Sequence, residues 1–148
     1  MLLTNTYICK LKNNMTKKNI KIGDEATFQK TVTETDVHLF AGISGDFNPI
    51  HISDIAASKS IFGKRIVHGI ILVGFISAVL ANKLPGEGSI YLGQDVKFKK
   101  PVFIGDTITT IVKVVGIREE KNIFTLRTIC RNQNDEIVID GEAVILKN

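Results

Sequence analysis

The fold is decided by residues 69–82, GIILVGFISAVLAN, which are apolar almost throughout. Only the small residues Gly74 and Ser77 interrupt this pattern. Apolar residues on all sides are typical of a helix enclosed by other structure. The uncharged run between His68 and Lys83 is also shorter than the ~20 residues that a membrane span needs. We therefore predict a buried central helix and no membrane span.

Five predicted strands flank this helix, each with alternating apolar and polar residues. One lies upstream over residues 26–32, and four lie downstream over residues 89–98, 107–117, 123–131 and 137–146. The last two connections are too short for helical crossovers, so the sheet should be mostly antiparallel. We expect the four downstream strands to form a meander that the upstream strand joins. This is an α+β hot-dog architecture, a five-stranded antiparallel sheet wrapped around a long central helix.

The region before the central helix is predicted to contain two short helices and a rigid loop. Thr35 is placed to cap a helix over residues 36–43. Residues 44–51 are predicted to form the loop, because Pro49 keeps Asn48 out of the helical region. The second short helix follows this loop.

The composition is that of one globular domain, with 148 residues, 44% of them hydrophobic and 23% charged. The net charge is +4, but both signs are scattered along the chain, which argues against nucleic acid as a ligand. Cys9 and Cys130 are the two cysteines, too few for a disulfide framework, and this usage fits a cytoplasmic protein.

The first residues differ from the remainder of the chain. Residues 1–14 lack the pattern of a signal peptide, and we interpret them as a leader that is disordered or precedes the true start at Met15. Residues 15–148 contain no repeat or linker, and we expect them to form a single domain.

The loop carries the residues best suited to acid–base chemistry. Asp46 and His51 flank Asn48 and Pro49, so a carboxylate and an imidazole are held close together on stiff backbone. A general base must lie within hydrogen-bond reach of the proton that it takes, and a rigid turn fixes that separation. Alternatively, Asp46 and Asn48 only satisfy the turn backbone, and His51 caps the helix that follows.

A second candidate lies where the central helix begins. The first N–H groups of a helix have no intrahelical partner, and the helix dipole favours negative charge there. Gly69 is therefore able to offer its N–H to an oxygen that gains charge, and a glycine lets a ligand approach closely. The alternative is that Gly69 only allows tight packing of helix on sheet.

The other histidines carry less weight at this point. We expect His68 to be structural, buried with its ring nitrogens bonded to backbone, and His38 to be exposed. The spacing of His38, His51 and His68 matches no zinc-binding pattern, so no metal site is expected.

Three segments together resemble the (R)-specific enoyl-CoA hydratases of the MaoC-like group: residues 45–51, GDFNPIH; residues 62–69, FGKRIVHG; and residues 84–94, LPGEGSIYLGQ. The resemblance extends from about residue 20 to the end of the chain. It implies that Asp46 and His51 are a catalytic dyad and that Asn48 helps to hold the loop. It also implies that the Gly69 N–H forms an oxyanion hole, with Ser77 supporting the site.

The reaction implied by the resemblance is the reversible addition of water to a trans-2-enoyl-CoA, which gives an (R)-3-hydroxyacyl-CoA. Coenzyme A is then part of the substrate, and no separate cofactor is expected. A hot-dog thioesterase and a non-catalytic acyl-CoA binding module are the alternatives. The family also implies a homodimer whose two sheets join edge to edge.

Other residues are candidates for contact with the acyl-CoA. Lys64 and Arg65 precede the central helix, and Lys97, Lys99 and Lys100 lie on or just after a predicted strand. Either group is placed to meet the phosphates of coenzyme A, and a solvated surface is the alternative for both. Leu80 is a candidate for the acyl pocket, although an apolar residue on such a helix is usually core.

Overall fold

The computed structural model describes residues 19–148. Within that range the strands are β1 (Glu25–Thr31), β2 (Ser89–Phe98), β3 (Thr107–Arg118), β4 (Ile123–Arg131) and β5 (Ile137–Lys147). The α-helices are α1 (Glu34–Ser44), α2 (Pro49–Ile52), α3 (Asp54–Ser58) and α4 (Gly69–Asn82). None of these helices is long and apolar enough to cross a membrane. Residues 1–14 and Cys9 lie outside the described range.

The predicted α+β architecture is confirmed, with one correction to the order of the strands. The sheet is antiparallel throughout and has the order β1-β3-β4-β5-β2. Only β3, β4 and β5 form a meander, so the predicted four-strand meander is wrong. β2 pairs with β5 instead, because β3 already has β1 on one side and β4 on the other. The two edge strands of the sheet are therefore β1 and β2.

Helix α4 packs its long side chains into the core against the sheet. The buried residues of α4 are Ile71, Leu72, Phe75, Ile76, Val79 and Leu80. They belong to the same cluster as Ile108, Leu126 and Ile145 of the sheet. In contrast to the predicted full enclosure, Gly74 is exposed and Ile70 is 54% exposed. A single sheet covers only one side of a helix. The residues on the uncovered side of α4 are also apolar, so the sequence pattern did not reveal that this side is exposed.

The boundaries of the short helices differ from the prediction. Helix α1 is capped by Thr33 rather than Thr35, because Thr33 lies three residues before Asp36 and forms a capping box with it. It ends at Gly45, whose φ of 77° is the left-handed conformation that glycine adopts readily. The predicted loop also ends sooner, since α2 begins at Pro49 and contains His51.

Candidate active site

Asp46 and Asn48 are held by the backbone of their own loop. One carboxylate oxygen of Asp46, Oδ1, accepts a hydrogen bond from the Asn48 N–H at 3.2 Å. The Asn48 side chain accepts one from the Ile50 N–H at 3.3 Å and so caps α2. Both residues therefore bond to the turn backbone, as the alternative interpretation of this loop predicted. The second carboxylate oxygen of Asp46, Oδ2, is not used in this turn and lies 3.9 Å from Nε2 of His68.

The His51 ring is fixed by a carbonyl group from another part of the chain. Its Nδ1 lies 2.8 Å from the backbone oxygen of Ile66. A carbonyl oxygen only accepts hydrogen bonds, so Nδ1 carries the hydrogen in the neutral ring. Nε2 then has a free lone pair and is the basic nitrogen. His51 itself lies within α2, and the next helix, α3, is capped by Ser53. The alternative that His51 caps the following helix is therefore wrong.

His68 joins this pair, which sequence reasoning missed. Its ring stacks on that of His51, with centroids 3.8 Å apart and planes inclined by 29°. Nε2 of His68 lies 3.0 Å from the backbone oxygen of Asp46, whereas Nδ1 has no partner among residues 19–148. The prediction of two backbone bonds is therefore half right. The available signal was the position of His68 directly before Gly69.

Asp46, His51 and His68 form a compact polar cluster. Their side-chain donor atoms all lie within 4.8 Å of one another, a separation that would also admit a metal ion. An ion bound by an imidazole lies close to the plane of that ring, however, whereas the rings of His51 and His68 are stacked face to face with their planes inclined by 29°. The arrangement suits proton transfer better than metal coordination.

A cavity of about 450 Å³ opens beside this cluster, and both His51 and Gly69 line it. Its walls are mostly apolar, and they include Ile70, Leu72, Phe98, Val138 and Ile139. Gly69 is the first residue of α4, and its N–H has no acceptor within the described residues. His51, which carries the basic nitrogen, and Gly69, whose N–H has no acceptor among these residues, therefore border the same apolar space. Asp46, about half exposed, is not among the lining residues.

Gly69 is also tightly packed against strand β2. A Cβ atom at this position would lie 2.5 Å from Cε1 of Phe98. This contact supports the packing explanation for the glycine, and close approach of a ligand stays a prediction.

The model of the family described as MaoC like domain matches residues 17–133 of the chain. The chain belongs to this MaoC-like family. It is 47% identical over 129 residues to the (R)-specific enoyl-CoA hydratase of Rhodospirillum rubrum, covering 87% of this chain and 89% of that protein. It is 41% identical over 131 residues to the (R)-specific enoyl-CoA hydratase of Aeromonas caviae, covering 88% and 98% respectively.

The fold of this MaoC-like chain also matches solved structures. It superposes on the (R)-hydratase of A. caviae with a TM-score of 0.85 and 40% identity, covering 88% of this chain and 99% of that one. The R-hydratase of Pseudomonas aeruginosa gives a TM-score of 0.82 at 38% identity, with 86% and 82% coverage. These likenesses confirm the hot-dog fold.

The basic residues of the MaoC-like domain have different surroundings. Arg65 pairs with Glu34 at 2.8 Å and with Asp54 at 2.7 Å, and its side chain is only 14% exposed. The hydrogen bonds that the guanidinium donates to these two carboxylates raise its pKa above the ordinary value. Lys64 lies over the Phe103 ring at 4.0 Å. In contrast, Lys99 and Lys100 both line the cavity.

Ser77 and Leu80 are not brought to the cavity by the fold of this MaoC-like domain. Neither belongs to the lining, and Leu80 is 2% exposed within the core. Ser77 is half-buried two turns along α4 from Gly69, and its hydroxyl has no hydrogen bond among residues 19–148. Their roles in supporting the site and lining the acyl pocket stay predictions.

Proposed function

We propose that this MaoC-like domain is an (R)-specific enoyl-CoA hydratase. The observation that carries the proposal is that His51, with a basic Nε2 and Asp46 beside it, and Gly69, with an N–H that has no acceptor among the described residues, line one apolar cavity. The relatives that are 41% and 47% identical bear this activity in their names. A hydro-lyase needs the same two elements, a proton shuttle and a site for negative charge.

The chemistry follows from the roles of these groups. Asp46 and His51 hold a water molecule, and Nε2 of His51 takes one of its protons as the water oxygen bonds to C3 of the enoyl-CoA. The C2–C3 π electrons move toward the thioester, whose oxygen becomes an enolate and accepts the Gly69 N–H. The dyad then returns a proton to C2, which gives the 3-hydroxyacyl-CoA.

The Gly69 N–H is expected to matter as much as the dyad. A donor aimed at developing charge in a dry site contributes about 3 kcal/mol. The apolar wall beside the glycine supplies this low-dielectric setting.

The hot-dog thioesterase has less support, because the relatives at 41% and 47% identity are named as hydratases. Nor do residues 19–148 offer a cysteine nucleophile for thioester hydrolysis. Cys130 is fully buried, and burial raises the pKa of its thiol to about 11. A thiol that stays protonated at neutral pH is a poor nucleophile. A pure binding module would in turn have no use for an imidazole whose basic nitrogen is left free.

For the phosphates of coenzyme A, we favour Lys99 over Lys64 and Arg65. Lys99 lines the cavity and lacks a paired carboxylate among the described residues, whereas Arg65 is held by two carboxylates. Replacing Lys99 with Met should raise KM for the acyl-CoA and leave kcat unchanged. An unchanged KM would mean that Lys99 does not contact the acyl-CoA and only forms part of the solvated surface.

The proposed assembly is a homodimer formed through β2. This edge strand has an unpaired side in the single chain and exposes Ile90, Leu92 and Phe98. An exposed apolar edge is a site for pairing with another sheet. Light scattering should give a dimer for the wild type and a monomer for Leu92→Lys, and a monomeric wild type would contradict this assembly.

A cytoplasmic location is also part of the proposal. The buried Cys130 supports it, because this thiol has no disulfide partner among residues 19–148 and a free thiol suits a reducing compartment. Fractionation of the source cells would test this, and recovery in an extracellular fraction would overturn it.

The activity is tested with purified protein and crotonyl-CoA. Loss of the enoyl-thioester absorbance, coupled to an (R)-specific 3-hydroxyacyl-CoA dehydrogenase, reports both hydration and the handedness of the product. Asp46→Asn is the control that should abolish the signal. Release of free coenzyme A without hydration would select a thioesterase, and binding without turnover would select a binding module.

A further inference from the structure

His68 is a deeply buried polar side chain to which the mechanism above gives no task. It is 2% exposed, and its ring contacts His51 at 3.8 Å and Phe40 at 4.9 Å between centroids. Its Nε2 lies 3.0 Å from the backbone oxygen of Asp46 and 3.9 Å from Oδ2 of the same residue. His68 therefore contacts both members of the dyad, and these two are the titratable groups that face it.

The surroundings of the ring select one tautomer. The carbonyl oxygen of Asp46 can only accept a hydrogen bond. Nε2 of His68 must therefore carry a hydrogen and donate it to this oxygen. Nδ1 is buried and has no partner among residues 19–148. A hydrogen on Nδ1 would have no acceptor, and a bare Nε2 would face the lone pairs of a carbonyl. The Nε2–H tautomer fits both nitrogens.

We propose that His68 is a positioning residue for Asp46 and His51. Its Nε2–H holds the carbonyl of the Asp46 loop, while its ring face supports the His51 ring, so together they fix the separation of carboxylate and imidazole. That separation matters, because a misplacement of about 1 Å costs ~100-fold in rate. The kinetic part of this inference rests on the proposed hydratase function, whereas the tautomer is measured independently of it.

Two substitutions separate the two contacts of His68. His68→Gln keeps a donor at the position of Nε2 but lacks the ring, and His68→Phe keeps the ring face but lacks the donor. With crotonyl-CoA, we expect His68→Phe to lose at least about tenfold in kcat while its KM stays within about threefold. His68→Gln should lose less kcat than His68→Phe, because it keeps the donor to the Asp46 carbonyl and lacks only the ring contact with His51. His38→Gln, at an exposed histidine, is the matched control and should equal the wild type.

Nitrogen-15 NMR of the imidazole groups supplies the second measurement. At pH 8.5 the wild type should give the Nε2–H pattern for His68 and the Nδ1–H pattern for His51. An Nδ1–H pattern for His68 overturns the inference, and so does a wild-type kcat in His68→Phe. Equal losses in both variants together with an equal fall in melting temperature mean packing alone and also overturn it. If the wild type hydrates no enoyl-CoA, the proposed function fails, and the tautomer still decides whether the carbonyl is held.

Discussion

The two ends of helix α4 are treated differently by the fold. At the C-terminal end, the carbonyl of Val79 accepts hydrogen bonds from Lys83 and Leu84, and that of Leu80 accepts one from Gly86. At the N-terminal end, the His68 side chain does not cap the helix, and Gly69, whose N–H has no acceptor among residues 19–148, lines the cavity. Helix ends are ordinarily satisfied by nearby groups. The end left unsatisfied is therefore the one available to a ligand.

This contrast separates chemistry from stability along one helix. Polar groups that need a partner gather around the first residue, and the side chains that fill the core lie further along, at Ile76, Val79 and Leu80. Substitutions at the first end should change turnover, and those further along should change the free energy of unfolding.

The largest effect is expected at the dyad. His51→Ala and Asp46→Asn should each lower kcat by about 10²- to 10⁴-fold, because both remove a proton-transfer group. Unfolding free energies should stay close to that of the wild type, since Asp46 is half exposed and His51 only partly buried. The assay is the crotonyl-CoA absorbance. Activity within tenfold of the wild type in either variant would remove the dyad from the mechanism.

Ile76→Ala should show the opposite behaviour. The side chain is 0% exposed, and its truncation leaves a cavity that costs about 2–5 kcal/mol of unfolding free energy. The kcat per folded molecule should equal that of the wild type, because Ile76 is not among the residues that line the cavity. Urea unfolding beside kinetics measures both quantities. A large fall in kcat without loss of stability would break the separation between the two parts of the helix.

Gly69→Ala distinguishes the two reasons for a glycine where α4 begins. The new Cβ would meet the Phe98 ring, and we expect about a tenfold loss of kcat with about 1 kcal/mol of destabilisation. A second substitution, Phe98→Ala, removes the ring that the new methyl group of Gly69→Ala would contact. The double variant should regain stability but not kcat if close approach of the substrate is the reason. Recovery of both would assign the glycine to packing alone.

Ser77→Ala sharpens the boundary between the two parts of α4. Ser77 is half-buried, lies outside the cavity lining and forms no hydrogen bond among residues 19–148, so we expect only a small loss of kcat, about threefold. Ser58→Ala, at an exposed serine of α3, is the control and should leave the rate alone. An unchanged rate in Ser77→Ala would place Ser77 among the packing residues.

The smallest effect is expected far from α4, at the start of α1. Thr33→Ala should cost about 1 kcal/mol through loss of the capping box. Burial acts to raise the pKa of Asp36, but hydrogen bonds from Lys30 and Thr33 outweigh it and hold this pKa below its ordinary value of 3.8.

This direction gives the sign of the pH dependence. A lowered pKa means that Asp36 stabilises the fold at pH values above 3.8 and that this contribution disappears as the pH falls through the folded-state pKa. Thr33→Ala should therefore lose less stability than the wild type between neutral and acid pH in urea titrations. Parallel losses in the two proteins would contradict the role of the capping box.

Several elements could be predicted from local sequence because their signals are local. The bounds of α4, β2 and β4 agree with those predicted, since apolar periodicity and the turn residues between elements mark them clearly. The Thr33 cap was missed although its signal was present, namely a threonine three residues before Asp36. The placement of β2 beside β5 had no local signal, because alternation predicts a strand and not its neighbour.

The candidate site divides in the same way. The residue types and spacing of Asp46, His51 and Gly69 were enough to select them as candidates for acid–base chemistry and anion stabilisation. His51 and Gly69 line one cavity and Asp46 lies beside His51, and this arrangement depends on the Ile66 carbonyl, which orients His51, and on the stacking of His68. Both contacts join segments that are separated along the chain.

By itself, the sequence determined most of the secondary structure, the apolar core and the candidates for acid–base chemistry, because these follow from periodicity and residue chemistry. Tertiary structure alone decided which nitrogen of His51 is basic, that His68 belongs to the site, and which basic residues border the cavity. These properties depend on hydrogen bonds, ring contacts and ion pairs between distant segments, and such contacts exist only after the chain has folded.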